Sequence, residues 1–387
     1  MRIRPLIFTP PRVPIDADLA WLLRAAFASD ASPTLPHRPE QALQIARATQ
    51  LAGRVAARLG TWRGGSSLGA LAQDFSEDYY ANIAKETLLM QAQQRIAELA
   101  ERLEIPLIAV KFGGLRLARV ISPGARVVSD LDILLPKARA RDFWHALLAA
   151  GFLRTNTHEY SHQLEALIDA YGAVIDLHIH LPGVVVQGGF ATADQLIAHG
   201  LVTRMPGGIF APSAGVLAAH AIVHALVQNR STPQTYSPLR MLSDVMDLRH
   251  IDSRVVHNAM SYLAPELGTT CETLERLCAS LAEGAFDTPS FDGTSEQTLL
   301  WHCLAARVDF DYAERLRAAG LANKFRDGSS ATEIARYIAD LLYPSESALD
   351  FLYGPAAGTF GRVRRRMFRP LDLAIRAVRR SVRIRER

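Results

Sequence analysis

The spacing of apolar residues predicts helices towards both ends of the chain. Between residues 15 and 60, apolar side chains recur three and four positions apart, as with Leu19, Leu22 and Leu23, which is the spacing of one helix face. A long helix is predicted from about Glu77 to Arg102, after a loop at 63–67. Helical spacing returns at Pro212, with further helices predicted near 239–250, 254–263, 266–284, 295–307, 309–319 and 331–343.

The middle of the chain has the patterns of strands. Runs of β-branched and apolar residues predict strands at 105–112, 127–135 and 173–181, with weaker candidates at 152–160 and 163–168. The last strong strand is expected to stop at Pro182-Gly183, and a helix is predicted from Lys137 to Ala150, ending at Gly151. The pattern therefore predicts an α+β fold, with a small mixed sheet flanked by N-terminal and C-terminal helical regions.

The chain length predicts more than one domain. At 387 residues the chain exceeds the size of about 250 residues at which single cores stop growing. The change of pattern predicts a helical region at 1–103, an α/β core at 104–205, a second helical region at 206–350 and a tail at 351–387.

Composition and cysteine content favour a cytoplasmic globular protein. Hydrophobic residues make up 49% and charged residues 21% of the chain, as in soluble proteins. The first residues lack the apolar run of a signal peptide, and no stretch is long and apolar enough for a membrane span. The three cysteines form neither a C-x-x-C pair nor an even set, which indicates a reducing compartment: Cys271, Cys278 and Cys303.

The tail differs in charge from the rest of the chain. Residues 351–387 contain eleven arginines and two acidic residues, while the rest of the chain is net acidic. Apolar residues at helical spacing separate these arginines: Val363, Met367, Leu371, Ile375, Val378 and Val382. This predicts a basic amphipathic helix, interrupted by Pro370, that contacts RNA or an anionic membrane surface. Packing of its apolar stripe against the acidic body is the alternative.

Three aspartates carry the candidate chemistry. Asp130 and Asp132 are two residues apart on a predicted strand and so project from one face. Asp176 shares a face of another predicted strand with His178 and His180. If the two strands are neighbours, three carboxylates converge and require a cation, and oxygen ligands select Mg²⁺ or Mn²⁺. Such a site suits in-line displacement at a phosphate.

Glycines and basic residues precede the first aspartate. Gly113-Gly114 lies between a predicted strand and a predicted helix at 115–120, where backbone N–H groups could approach a phosphate. Lys111 and Arg126 flank this turn and offer positive charge, although a solvated surface position is an equal alternative for each.

These segments together resemble a known family. Lys111-Phe-Gly-Gly114, Pro123-x-x-Arg126-x-x-Ser129-Asp-Leu-Asp-Ile-Leu-Leu135 and Val174-Ile-Asp-Leu-His178 resemble the polymerase beta superfamily of nucleotidyltransferases. The closest branch is that of bacterial uncharacterised nucleotidyltransferases with a Lys-x-Gly turn, an Asp-x-Asp strand and an Asp-x-His strand. The resemblance covers residues 105–181 and extends more faintly to the histidines near 220 and to residues 239–244.

The resemblance implies roles for individual residues. Asp130, Asp132 and Asp176 would be the catalytic metal ligands, and the nucleotide would meet Lys111, Gly113, Gly114, Arg126 and Ser129. One departure concerns Gly114, because many members of the superfamily carry a serine there and this chain lacks that phosphate-binding hydroxyl.

The histidines allow two interpretations. His178-x-His180 and His220-x-x-x-His224 each place two imidazoles on one face, as in a zinc site. The alternative, which we favour, is that they hydrogen-bond a carboxylate or line the substrate cleft. Arg240 and Asp244 are a further candidate pair, four residues apart on a predicted helix.

The resulting hypothesis is an enzyme that moves NMP from an NTP to an unidentified acceptor by a Mg²⁺-dependent two-metal mechanism. A metal-dependent hydrolase built on the histidines and aspartates is one alternative. A non-catalytic nucleotide-binding or RNA-binding protein is the other.

Overall fold

The computed structural model of the protein describes most of the chain. The described residues are 10–29, 35–60, 66–155, 162–228, 238–288, 291–309, 311–313 and 315–316, together with 358, 361, 363, 364 and 366–370 near the C-terminus. The predicted helix at 331–343 and the apolar tail positions from Leu371 onward lie outside them.

Four helices precede the sheet: α1 (Ala17–Phe27), α2 (Pro39–Thr49), α3 (Ala52–Leu59) and α4 (Ser66–Arg102). Helix α1 begins where the Asp16 carboxylate accepts a hydrogen bond from the Leu19 N–H at 2.9 Å. Helix α4 begins well before the predicted Glu77, so the loop expected at 63–67 ends by Ser66. This first part of α4 packs on the core, because Leu71 and Phe75 are buried.

The central part of the chain contains nine strands and three helices within the described residues. In chain order these are β1 (Ile108–Ala109), α5 (Lys111–Leu117), β2 (Asp130–Leu134), α6 (Lys137–Ala149), β3 (Leu153–Arg154), β4 (Leu167–Ile168), β5 (Val174–His178), β6 (Leu181–Val186), β7 (Gly189–Ala191), α7 (Ala193–Ala198), β8 (Val202–Arg204) and β9 (Phe210–Pro212). Seven strands form one sheet in the order β3-β4-β5-β2-β1-β9-β8, and β6 pairs with β7. Parallel and antiparallel pairs coexist in the large sheet, so the predicted α+β class with a mixed sheet is confirmed.

Three predicted boundaries in this region are wrong. The first strand is two residues long, and α5 begins at Lys111 instead of Leu115. Pro182-Gly183 does not end a strand but lies inside β6, where the pairing with β7 is irregular. A proline is tolerated at such an irregular, two-stranded edge because its missing N–H need not pair. Strands β6 to β9 and helix α7 were not predicted.

Helices α8 (Ala214–Val223), α9 (Pro238–Ile251), α10 (Val255–Met260), α11 (Gly268–Glu283) and α12 (Ser295–Val308) follow the sheet. The predicted helices in this region are thereby confirmed up to residue 308, and a π-helical turn at His224–Gln228 continues α8. Among the described residues, no helix is both long and apolar enough to span a membrane.

One cluster of buried apolar side chains joins the helical regions to the sheet. It runs from Leu19 in α1, through Leu131 and Ile175 in the sheet, to Leu304 in α12. The division into domains stays a prediction. The close packing of this shared core supports the adjacent strands β2 and β5.

Candidate active site

The site is built on two adjacent parallel strands. Strands β2 and β5 pair in the register that places Asp132 opposite Asp176 and Asp130 opposite Val174. Leu131, Ile133 and their partners on β5 are fully buried on the other face of the sheet. Because strand residues alternate, this burial directs the aspartates to the opposite face together. The two acidic strands are thus neighbours, which was the condition for their carboxylates to converge.

Asp132 lies at the centre of the site. It is 2% exposed, and its Oδ1 atom lies 2.6 Å from the Lys111 ammonium and 2.8 Å from His178 Nε2. Burial alone would raise the pKa of this carboxyl. The Lys111 charge and the His178 hydrogen bond outweigh it and hold the pKa of Asp132 well below its usual range. Asp132 is therefore a carboxylate even in the absence of a metal ion.

Asp176 has the opposite electrostatic environment. Burial and the neighbouring charges of Asp132 and Asp130 raise the pKa of Asp176 to about 6. Two carboxyl groups that share a site repel each other, so one keeps its charge and the other holds its proton more tightly. A cation placed between them would relieve this repulsion.

Asp132, Asp176 and His178 form the group suited to holding such a cation. Each offers one ligand atom, and these atoms lie within 4.8 Å of one another. Asp130 is not in this group, and its Oδ1 accepts a hydrogen bond from Ser129 Oγ at 2.8 Å. The donor set of oxygens with one imidazole nitrogen fits a small divalent ion.

Lys111 begins helix α5 in an uncommon backbone conformation. Its φ is +48°, in the left-handed region that residues other than glycine rarely adopt. Burial would lower the pKa of Lys111, but Asp132 and Asp130 together raise it above its ordinary value. The side chain is therefore a fixed positive charge against the carboxylates. Residues with such backbone strain are often found at active sites.

Gly113 and Gly114 lie inside α5 and do not form the turn that precedes it. A Cβ on Gly113 would come within 2.8 Å of Gln93 Oε1, and one on Gly114 within 2.7 Å of the Ala109 carbonyl oxygen. The close approach to the Ala109 backbone therefore requires glycine at position 114, whereas a side chain at position 113 would have to displace the flexible end of Gln93. Contact of their backbone N–H groups with a phosphate stays a prediction.

Arg126 joins the sheet region to helix α9. Its guanidinium donates two hydrogen bonds to the Asp244 carboxylate, at 2.8 and 3.0 Å, and both side chains are buried. Arg240, expected beside Asp244, donates to Gln50 Oε1 at 2.9 Å. Both residues thus connect distant parts of the chain, and contact of Arg126 with nucleotide stays a prediction.

His220 and His224 lie where α8 passes into the π-helical turn. Their rings are 5.9 Å apart. Burial and the Lys111 charge lower the pKa of both imidazoles well below the usual value, so both are neutral at neutral pH. π-Helical turns are frequent at functional sites. Both residues remain candidates for contact with substrate.

His162 was missed by the sequence analysis. Its ring stacks against His178 with centroids 6.0 Å apart and lies 6.0 Å from the His180 ring. His180 in turn stacks on Phe190 at 5.0 Å. A lone histidine beside a weak strand gives no usable signal, because only the folded chain brings it to the site. Within the described residues, the one group with three suitable ligand atoms contains a single histidine, His178, which does not favour a histidine-rich zinc site.

Comparison with known families supplies an identification. A family described as "Uncharacterised nucleotidyltransferase" matches residues 36–261, more than half of the chain. The chain belongs to this nucleotidyltransferase family. The matched region extends from α2 to α10 and includes every candidate site residue from Lys111 to Asp244.

The other comparisons do not indicate a substrate or a mechanism for this nucleotidyltransferase. No curated protein matches the chain. A solution structure of the antibiotic-resistance factor ANT(2'')-Ia is similar over 46% of this chain and 91% of that one, at 13% identity and a TM-score of 0.33. A similarity of this size carries no argument about substrate or mechanism.

Proposed function

We propose that this protein transfers a nucleoside monophosphate from a nucleoside triphosphate to an acceptor nucleophile. The acceptor forms a bond to the α-phosphorus, the bond from the α-phosphorus to the bridging oxygen breaks, and pyrophosphate leaves with that electron pair. Membership of the family supports nucleotidyl transfer in general. The observation that carries the finer proposal is the register of β2 and β5, which puts Asp132 opposite Asp176 on one face of the sheet.

The proposed cofactor is Mg²⁺, or Mn²⁺, held by Asp132 and Asp176 in a two-metal site that Asp130 completes. Carboxylate oxygens are the ligands these ions prefer. When bound, such ions supply a Lewis acid to the phosphate oxygens and the leaving pyrophosphate. The raised pKa of Asp176 supports the proposal, because burial and then the negative charges of Asp132 and Asp130 disfavour its carboxylate, and a bound cation would offset both.

Side chains around the carboxylates have proposed parts in substrate binding. The Lys111 ammonium lies 2.6 Å from Asp132 and is suited to triphosphate oxygens, since charge-assisted hydrogen bonds to phosphate are strong. The proposed nucleotide-binding residues also include Ser129, next to Asp130, and Gly113 and Gly114 in α5. His180, His220 and His224 are proposed to line the acceptor side, His220 and His224 as neutral groups.

The proposed setting of the protein is the cytoplasm, and its proposed further partner is an anionic surface. The three cysteines are buried free thiols, which supports a reducing compartment such as the cytoplasm. Exposed apolar and basic residues of the tail, among them Met367 and Arg366, support contact with an anionic surface. The acceptor and the base of the nucleotide are left open.

Labelled nucleotides test the function. The purified protein is incubated with each α-labelled NTP, Mg²⁺ or Mn²⁺ and cell extract, and pyrophosphate release and label in each fraction are measured. We expect one fraction to acquire label with equimolar pyrophosphate, and neither signal from Asp176→Asn. Pyrophosphate-free release of inorganic phosphate would instead indicate a hydrolase. Binding of NTP without turnover in any fraction would indicate a non-catalytic binder.

A further inference from the structure

We propose that His178 is a direct ligand of the divalent ion, beside Asp132 and Asp176, and that the site prefers a first-row transition ion such as Mn²⁺ over Mg²⁺. This inference rests on the proposed function for the presence of a metal ion. It goes beyond the three-aspartate set that the family resemblance implies, because it replaces a purely oxygen ligand set by one that includes nitrogen.

Strand geometry brings the imidazole to the carboxylates. His178 follows Asp176 by two residues on β5, so both side chains project from the same face, and Asp132 lies opposite Asp176 on the neighbouring strand. One ligand atom from each of the three lies within 4.8 Å of the others. Asp130, two residues before Asp132, is not in this group.

The state of the imidazole indicates a ligand role. His178 is 4% exposed, its Nε2 atom lies 2.8 Å from Asp132 Oδ1, and its Nδ1 atom is buried without a hydrogen-bond partner among the described residues. A buried polar atom without a partner is costly in a stable protein. The ring is held against the carboxylates by its position on β5, and its Nε2 atom already lies at the Asp132 oxygen, so a cation bound between them would replace that hydrogen bond.

The neighbouring histidines are less suited to this role. The centroid of the His162 ring lies 6.0 Å from those of His178 and His180, and neither His162 nor His180 belongs to the three-ligand group of the described residues. His220 is buried and neutral but contributes no atom to the three-ligand group. His178 is thus the imidazole that the described structure places with both aspartates.

The ligand set determines the preferred ion. Mg²⁺ binds almost only oxygen and retains water, whereas imidazole nitrogen raises affinity for first-row transition ions. Two carboxylates keep the site hard enough for Mn²⁺, which accepts mixed oxygen and nitrogen ligands. A purely hydrogen-bonding role for His178 would leave the preference between Mn²⁺ and Mg²⁺ close to that of carboxylates alone.

Electron–nuclear double resonance on the Mn²⁺-loaded full chain tests the proposal. Spectra are recorded with Mn²⁺ alone and with Mn²⁺ plus a non-hydrolysable NTP analogue, on protein with natural and with ¹⁵N-labelled histidine. We expect a histidine nitrogen coupling to Mn²⁺ in the wild type that changes on ¹⁵N labelling. Absence of this coupling under both conditions overturns the proposal and needs no variant.

Two matched variants assign the nitrogen. His178→Gln keeps an N–H that can donate to Asp132 but removes the imidazole, and His180→Gln makes the same change on the same strand outside the ligand group. We expect the coupling to vanish, and the ratio of Mn²⁺ to Mg²⁺ affinity to fall at least tenfold, in His178→Gln alone. Coupling that persists in His178→Gln, or an unchanged affinity ratio, overturns the proposal.

The outcome is separable from that of the proposed function. The coupling is measured without turnover, so a protein with the coupling and no nucleotidyl transfer contradicts the function alone. Nucleotidyl transfer without the coupling contradicts the ligand role alone.

Discussion

The ammonium of Lys111 and the carboxylate of Asp132 form a buried ion pair, 2.6 Å long, between the first residue of α5 and the middle of β2. His178 contacts the same carboxylate oxygen from β5. The ammonium therefore places a positive charge directly beside a proposed metal ligand, and its position suits it to binding the triphosphate as well.

Replacing this ammonium should impair transfer. Lys111→Met keeps most of the side chain but removes its charge, so we expect the rate of nucleotidyl transfer to fall about a hundredfold or more, as when a charge-stabilising donor is removed. Steady-state kinetics measure the loss. Lys137→Met, at an exposed position in α6, is the matched control and should retain the wild-type rate. A rate within twofold of wild type in Lys111→Met would remove Lys111 from the proposed site.

Metal-free protein should lose stability as the pH rises through the range set by Asp176. The pKa of Asp176 is about 6 in the folded protein, against an ordinary value of 3.8. Between these two values the folded state holds a proton that the unfolded state has lost, so stability falls as pH rises and the loss is complete above pH 6. Its size should be on the order of 2–3 kcal/mol.

Urea unfolding in EDTA at pH 4.5 to 7 measures this effect. The asparagine of Asp176→Asn cannot titrate, so the stability of this variant relative to wild type should increase as the pH rises from 4.5 to 7. Asp142→Asn, at an exposed position, should show the same pH dependence as the wild type. The lowered pKa of Asp132 has the opposite sign, and its stabilisation is lost only as pH falls below about 4. Parallel curves for wild type and Asp176→Asn would contradict the environment assigned to Asp176.

The sequence predicts the site better than its surroundings, for physical reasons. Alternation along each strand already puts Asp132 and Asp176 on definite faces, so only the pairing of β2 with β5 was left open. Gly114 could not be interpreted correctly, because a glycine needed for a turn and one needed for close packing look alike in sequence. The contact of Arg126 with Asp244 joins residues 118 positions apart and depends on how α9 packs. His162 reaches the site for the same kind of reason.

Breaking the Arg126–Asp244 pair should lower the free energy of unfolding more than it lowers the rate of transfer. Asp244→Asn removes the carboxylate charge that is hydrogen-bonded to the buried Arg126 guanidinium, which should cost about 3–5 kcal/mol. Urea unfolding at pH 7 measures it. Asp78→Asn breaks the more exposed ion pair with Arg47 and should cost about 1 kcal/mol or less. Unchanged stability with a raised KM for NTP in Asp244→Asn would instead favour a nucleotide contact by Arg126.

The tail should bind anionic membranes. Val363, Met367 and Phe368 are 52%, 74% and 56% exposed, next to exposed Arg364 and Arg366. Apolar side chains gain by entering a lipid surface and gain little on RNA, so the combination favours the membrane. Deleting residues 361–387 should abolish salt-sensitive sedimentation with anionic vesicles and leave transfer intact.

One control variant and two alternative outcomes separate the hypotheses for the tail. Met367→Glu in the full chain should weaken vesicle binding while leaving the arginines in place. Retention on RNA but not on vesicles would replace the membrane by a nucleic acid. Aggregation of the truncated protein would instead indicate that the tail packs on the body.

The three aspartates should be individually essential for transfer but unequal in metal-free stability. Asn is nearly isosteric with Asp and removes a full negative charge, so each of Asp130→Asn, Asp132→Asn and Asp176→Asn should lower the rate on the order of a hundredfold or more. Asp132→Asn should also destabilise the metal-free protein, because it leaves Lys111 buried without its ion pair. Asp176→Asn should stabilise it above pH 6, since it removes a carboxylate repelled by Asp132. Asp142→Asn should leave both rate and stability unchanged.

Label transfer and urea unfolding on the same protein preparations measure the two effects together. Wild-type activity in any of the three variants would exclude that carboxylate from catalysis, and equal stability of Asp132→Asn and Asp176→Asn would contradict the unequal environments of the pair.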